Sequence, residues 1–233
     1  MTSLSIITTT DPLAGQLPNL LHALSSLATE QGKIYEVVIV DDLNQWKTNP
    51  APIESDFLNL KIKAIRPEQH IGQIKAMTLG LLQAKSPVIL TIDPDMYPCV
   101  PEIPAMQALL NDYTLAVHGV RQSRYDTSLF RLFASAIFNW LVRKLTGLAT
   151  KDFGSPVTLF QKEVLENLDL YATGGPNIKM YAYMQLGPRL GSYEISNAAT
   201  PIGASHYRFP QLLLTAVKIL KECFFLRRLA CKA

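Results

Sequence analysis

Two carboxylates one residue apart close an apolar run: Val88-Ile89-Leu90-Thr91-Ile92 leads into Asp93-Pro94-Asp95. Alternate residues of an extended chain point to opposite faces, so this spacing predicts that Asp93 and Asp95 share a side. Two hard oxygen donors at a strand's carboxyl end suit Mg²⁺ or Mn²⁺ and leave coordination positions for phosphate oxygens. In open α/β sheets that edge is where ligands bind. The same three residues also make an ordinary acidic turn, because Asp and Pro favour turns. Their neighbours have to decide between the two.

A second acidic strand end, Asp41-Asp42, follows Val37-Val38-Ile39-Val40. A carboxylate there can accept from a ribose hydroxyl or a base N–H of a nucleotide laid across the sheet edge, or it can cap the next segment. Arg121 and Arg124 follow a strand expected over 114–117, and Arg131 lies on the next helix. Guanidinium groups near a metal-bound diphosphate would neutralise it by bidentate hydrogen bonds, although any one of them also reads as a solvated surface arginine. Asp152 could orient one of these arginines or touch a sugar, and reads equally as a loop acid. The four histidines have no spacing that suggests a ligand set or a triad. Neither a Gly-x-Ser-x-Gly elbow nor a Walker-type glycine loop is present.

The elements that must position these groups alternate. Strands are expected over 4–9, 36–40, 61–65, 88–92 and 114–117, with helices over 17–28 and 73–84. Strands alternating with helices of this length argue for an α/β fold with a mainly parallel sheet covered on both faces. A further helix is expected over 128–145. From Pro210 the chain turns amphipathic, with basic residues beside a wide apolar face and Glu222 its only acid. That pattern predicts a helix lying on a membrane surface, with packing on the domain as the alternative. The expected organisation is one domain over 1–209 and a basic amphipathic helix over 210–233.

With 48% hydrophobic and 18% charged residues the chain should fold rather than stay disordered. A net charge of +3 is too mild to call for nucleic acid, and no basic, aromatic-interleaved stretch suggests single-strand binding. Three cysteines without metal-ligand spacing fit a reducing compartment. The first residues lack a basic n-region, and no run of ~18 apolar residues occurs. Cytoplasmic placement, peripheral on the inner face of the membrane, is the expectation.

These motifs resemble family 2 glycosyltransferases of the GT-A fold, a Rossmann-like three-layer sandwich. The nearer likeness is to transferases that load sugars onto polyprenyl phosphates. The resemblance runs over residues 4–215 and is carried by Val38-Ile39-Val40-Asp41-Asp42, His70-Ile71-Gly72-Gln73 and Ile92-Asp93-Pro94-Asp95-Met96. It continues through Gly119-Val120-Arg121-Gln122-Ser123-Arg124, then Arg131, Ser135 and Asn139, then Lys151-Asp152-Phe153-Gly154-Ser155 and Gly203-Ala204-Ser205-His206-Tyr207. The resemblance implies that Asp41 and Asp42 meet the nucleotide and that Asp93 and Asp95 hold Mg²⁺ or Mn²⁺ with the diphosphate. It further implies that Arg121 and Arg131 contact phosphates, while Arg124, Asp152, Ser205 and His206 lie at the substrates. The implied reaction is inverting transfer from a nucleotide-diphosphate sugar to a polyprenyl phosphate, and an integral membrane partner is a further expectation.

Departures from the family pattern matter. Leu13 stands where a nucleotide-binding Glu is usual, Leu43 where a turn glycine is usual, and Thr200 and His206 replace basic residues. Hydroxyl-accepting relatives use a carboxylate base, commonly in an adjacent acidic pair. Beyond Asp152 the acids are Glu163, Glu166, Asp169, Glu194 and Glu222, none of them adjacent. A phosphate acceptor is already anionic and needs no base. Two alternatives stay open: a hydroxyl-acceptor glycosyltransferase of polysaccharide assembly, and a degenerate, non-catalytic GT-A adaptor.

Overall fold

The computed structural model describes residues 3–10, 16–42, 57, 59–122, 129–148, 151–166, 178–196 and the single positions 217, 220, 221 and 224; at 129–135 and 178 it describes the backbone alone. Seven strands form one sheet: β1 (Leu4–Thr9), β2 (Tyr35–Val40), β3 (Leu60–Ile65), β4 (Val88–Thr91), β5 (Ala116–Arg121), β6 (Thr158–Gln161) and β7 (Leu190–Ile195). Their spatial order is β3-β2-β1-β4-β6-β5-β7. β6 runs antiparallel to β4 and β5, and every other pairing is parallel. The expected α/β fold with a mainly parallel sheet is borne out.

Alternation along the central strands builds the two outer layers. Leu4, Ile6, Val37, Ile39, Leu90 and Ile92 face one side, where they meet Leu20, Leu24 and Leu27 of α1 (Gln16–Glu30). The same layer takes Met96, Cys99 and Val100 of a 3₁₀ helix (Pro94–Glu102) and Ile103 and Met106 of the short α3 (Ile103–Gln107), which follows α2 (Gln73–Leu81) in the chain. Ile7, Val38, Ile89 and Phe160 face the other side. There they pack on Leu81 of α2, Val142 of α4 (Leu129–Thr146), Val164 of α5 (Lys162–Glu166) and Tyr183 of α6 (Ile178–Leu186). α2 crosses so close to β1 that a Cβ at Gly80 would overlap Ile7 Cγ2. Any larger side chain must therefore push the helix off the sheet.

Two elements differ from expectation. β5 runs on to Arg121 instead of ending at Val117, because its second half is paired through Val120↔Glu194 and Arg121↔Ile195 with β7. The strand also begins later than expected, since Asn111 Oδ1 accepts from the backbone N–H of Tyr113 and Thr114 and folds them into a turn. Of the expected helix over 210–233 only Val217, Leu220, Lys221 and Phe224 are described; all four are helical, and Leu220 packs against the core layer that contains α6. Among the described residues no helix is long and apolar enough to cross a membrane.

Candidate active site

The topology gathers the chemistry at one edge. β1, β2, β4 and β5 all present their carboxyl ends there, and antiparallel β6 presents its amino end. Asp41-Asp42, Asp93 and Arg121 therefore share an edge with the 152–157 segment that leads into β6. β1 lies between β2 and β4, so the strand order reverses beside it, the place where open α/β sheets leave a ligand crevice.

Asp93 continues the β4 alternation on the Ile89 side of the sheet, with extended φ −82° and ψ 150°. Asp95 does not. Pro94, with its fixed φ and no N–H to pair, opens the 3₁₀ helix, and Asp95 falls in the first turn of that helix. The expectation that an extended chain puts both on one side is thus corrected. The two carboxylates still sense each other: burial, and then the Asp95 charge, push the Asp93 carboxyl up to about 6. Gln73, the first residue of α2, opposes this by donating its side-chain amide to both Asp93 oxygens at 3.0 and 2.9 Å. Gly72 makes that approach possible at φ 85°, a left-handed conformation that side chains avoid.

These residues fit a divalent cation. Asp93 and Asp95 supply hard oxygens whose mutual repulsion a cation would relieve, and among the described residues no cluster of three or more His, Cys, Asp or Glu converges. Two carboxylates leave coordination positions for phosphate and water, as Mg²⁺ and Mn²⁺ prefer.

The acidic pair after β2 is heavily engaged. Asp42 Oδ1 accepts from Ile71 N at 2.7 Å, and its Oδ2 accepts from Gly72 N at 2.9 Å and lies 2.9 Å from His70 Nδ1. The side chain thereby fixes the 70–72 turn that sets up Gln73. Asp41 is buried, accepting from Thr10 Oγ1 at 3.1 Å and lying 3.5 Å from Arg66 Nε.

On the other flank, Arg121 meets Asp152 in a bidentate pair, Nε to Oδ2 at 2.7 Å and Nη2 to Oδ1 at 2.9 Å. Burial works against the guanidinium, but the Asp152 bonds and charge hold its pKa above the ordinary value. Asp152 sits at φ 52°, in the left-handed region, and is held there from three sides. Its carbonyl accepts from Ser155 N at 2.9 Å and from His118 Nε2 at 3.0 Å, while Asn139 Oδ1 of α4 accepts from Phe153 N at 3.1 Å. His118 is fully buried, and burial pushes its pKa down to about 3, so the ring is neutral. With Nε2 facing a carbonyl, the proton is on Nε2 and Nδ1 must accept. Tyr183 therefore donates its hydroxyl to Nδ1 at 2.6 Å and accepts from Thr158 Oγ1 at 2.6 Å.

Lys179 of α6 completes the group. Its ammonium donates to the Ser155 carbonyl and lies 5.6 Å from the centre of the Tyr183 ring. Burial pushes its pKa down to about 7, against the pull of Asp93 and Asp152.

The structure thus brings Asp93, Asp95, Arg121 and Asp152 together, with Asp41 and Asp42 at the same edge. Arg131 lies in α4, where only its backbone is described, and Arg124, Ser205 and His206 lie outside the described residues, as do Leu13, Leu43 and Thr200. Gln73, His118 and Lys179 carried no role in the sequence reading. Gln73 was legible as the residue opening a helix after a glycine. For Lys179 only the burial of α6 gives the signal.

A model of the family described as "Glycosyl transferase family 2" matches residues 6–168, more than half of the chain. The chain belongs to glycosyl transferase family 2. Within that family it is similar to the undecaprenyl-phosphate 4-deoxy-4-formamido-L-arabinose transferases of Salmonella paratyphi B and Salmonella newport, each 26% identical over 198 residues. The match covers 84% of this chain and 60% of theirs, so the chain spans less than two thirds of the length of those relatives. Among solved structures it resembles glucosyl-3-phosphoglycerate synthase of Mycobacterium tuberculosis, with a TM-score of 0.64 at 13% identity over 95% of this chain and 81% of that one. The same synthase with Mn²⁺, UDP-glucose and glycerol 3-phosphate superposes with a TM-score of 0.62 at 14% identity, over 95% and 80%. At such identity the likeness shows the fold, and the GT-A architecture expected from the motifs is borne out with the family.

Proposed function

We infer that this family 2 domain transfers a sugar, with inversion, from a nucleotide-diphosphate sugar to the phosphate of a polyprenyl lipid. The observation that carries this reading is the charge around Asp93. Among the described residues, the charges acting on it are one carboxylate, Asp95, and two cations, Lys179 and Arg121. Asp152, the remaining carboxylate of the group, has both oxygens committed to Arg121. A hydroxyl acceptor needs a free base, whereas a phosphate acceptor needs cations and no base. The arrangement suits the second.

In the reaction an acceptor phosphate oxygen attacks the anomeric carbon in line with the departing diphosphate. The new C–O bond forms as the old one breaks, and its electron pair leaves with the nucleotide. A divalent cation, when bound by Asp93 and Asp95, would offset the charge that develops on the diphosphate. Gln73 fixes the Asp93 carboxylate, and Asp152 fixes the plane of the Arg121 guanidinium, so neither has to be ordered when substrates arrive. Arg131, from the adjoining helix, and Arg124, Ser205 and His206 are assigned to substrate contacts on the resemblance alone.

A lipid substrate is further supported by exposed apolar side chains. Ile137 and Trp140 lie three residues apart on α4, with the Lys144 ammonium 5.0 Å over the Trp140 ring, and Val217 and Phe224 are exposed beyond them in the chain. Tryptophan and lysine together suit a membrane interface. The similarity to undecaprenyl-phosphate transferases points the same way.

The rival reading, a non-catalytic relative, is favoured by the engagement of Asp41 and Asp42 with protein groups. Calorimetric titration with UDP and GDP, with and without Mn²⁺, separates the two. Metal-dependent binding of one nucleotide, lost in Asp93→Asn, is the expected result; no binding of either would leave the adaptor.

A further inference from the structure

β5 grips Asp152 at both ends of the residue. Its carboxylate meets Arg121, and its carbonyl accepts at 3.0 Å from Nε2 of His118, which precedes Arg121 on the same strand. Between those bonds the backbone holds a φ of 52°. A left-handed conformation is disfavoured for a residue with a Cβ and persists only where its surroundings impose it. If that φ relaxed, the carbonyl would turn and the carboxylate would swing with it. The grip of His118 and the pairing with Arg121 therefore depend on each other.

His118 can hold the carbonyl because its own proton is placed from behind. The ring is fully buried and stands opposite Thr158 in the pairing of β5 with β6. Tyr183 donates to Nδ1 at 2.6 Å, with the two rings edge to face, 5.3 Å between centres and 72° between planes. Thr158 Oγ1 donates in turn to the Tyr183 oxygen at 2.6 Å. Nδ1 is thereby committed as an acceptor, and the Nε2 proton points at Asp152. Donors run in one direction, from Thr158 through Tyr183 and His118 to Asp152. Such a satisfied chain rigidifies what it holds. Apolar side chains at 118, 158 and 183 would fill the same space with no polar group to satisfy, a change that is often close to neutral for stability. What they would lose is the donor to Asp152.

We propose that His118 is a positioning residue for the transfer: its Nε2–H holds Asp152 in the left-handed conformation that offers both carboxylate oxygens to Arg121, and so sets the guanidinium that meets the phosphates. The step it serves rests on the phosphate-acceptor reading above, whereas the link from His118 to Arg121 rests on the hydrogen bonds alone.

Two substitutions separate the two nitrogens of the ring. The amide of Asn ends level with Nδ1 and that of Gln level with Nε2. His118→Asn thus keeps a partner for Tyr183 and loses the donor to Asp152, whereas His118→Gln restores that donor. The first readout needs no substrate: the Nε–H resonance of Arg121 in the nitrogen-15-labelled whole chain. It should be sharp in wild type and His118→Gln, and broadened or lost to solvent exchange in His118→Asn. The second is transfer from the nucleotide sugar to undecaprenyl phosphate with Mn²⁺. His118→Asn should lower kcat by about 10–100-fold and leave nucleotide affinity within about twofold, and His118→Gln should recover most of the rate. Added to Asp152→Asn, His118→Asn should lower kcat by no more than about twofold further, because the two act through one pairing. An unchanged Arg121 signal in His118→Asn overturns the proposal whatever the transfer assay shows. Equal loss of rate in the Asn and Gln variants, or full multiplication of the two losses in the double variant, overturns it as well, since the ring then only packs. If the Arg121 signal is lost in His118→Asn but wild type moves no sugar to the lipid phosphate, the link to Arg121 stands and the functional reading falls. Long-range nitrogen–proton correlation on wild type reads the His118 tautomer directly and does not depend on either variant folding. A neutral ring with its proton on Nε2 is expected; a proton on Nδ1 overturns the proposal.

Discussion

Replacing Asp93 by Asn should abolish metal-dependent nucleotide binding and at the same time stabilise the metal-free protein. The Asp93 carboxyl titrates at about 6 in the folded chain against an ordinary 3.8, through burial and the Asp95 charge. Such a difference corresponds to about 3 kcal/mol at ~1.36 kcal/mol per pH unit. The side chain is partly solvent-exposed, and screening cuts this to about 1–2 kcal/mol. Between pH 3.8 and about 6 the native state holds the proton that the unfolded chain has lost, so stability falls as pH rises through that window. Above about 6 the whole cost is present. Asparagine carries no charge and still offers Gln73 an oxygen. Asp93→Asn should therefore melt about 2–8 °C above wild type at pH 7.5 in chelator. The gap should close as the buffer is taken down toward pH 4, and Mn²⁺ with nucleotide should raise only the wild-type melting temperature. Scanning calorimetry at several pH values reads all three effects. An Asp93→Asn protein that melts at or below wild type at pH 7.5 would refute the reasoning, because the two carboxylates would then not be in conflict.

Other perturbations test the supporting shell. Gln73→Leu should weaken Mn²⁺-dependent nucleotide binding by about 10–100-fold, as loss of a group that orients a metal ligand does, and titration calorimetry reads it. Asp152→Asn should loosen the Arg121 guanidinium and lower the transfer rate at saturating nucleotide by about 10²-fold, with little change in nucleotide affinity. Gly80→Val should destabilise the fold by about 1–3 kcal/mol in denaturant titration, because its side chain must displace Ile7 beneath α2.

The parts of this fold that were legible in the sequence are those where burial and local pattern agree. β1, β2 and β4 are short runs rich in Ile, Val and Leu, buried on both faces but for Val88 at the start of β4, and α1 repeats leucine at helical spacing. The second half of β5 was hidden because His118 and Gly119 do not resemble strand residues; its partner β7 lies some seventy residues on and completes it. The Asp93-Pro94-Asp95 spacing gave the right neighbours for a wrong local reason, since proline turned the chain before the second Asp. Asp152 was readable as an acid that orients an arginine, but not its left-handed backbone or the His118 proton that holds it. Lys179 looks in sequence like any surface lysine. Its role depends on α6 bringing it over Tyr183 and beside residues that precede it by more than fifty positions, which no local pattern encodes.

The proposed chemistry depends on a lipid phosphate as the acceptor. The most direct measurement supplies the protein and Mn²⁺ with the labelled nucleotide sugar whose base calorimetry has identified, in mixed micelles that contain either undecaprenyl phosphate or undecaprenol. Label should move into the lipid phase with the phosphate and not with the alcohol, and Asp95→Asn should stop it. Transfer to the alcohol, or to added saccharide while the lipid phosphate stays unlabelled, would contradict the account.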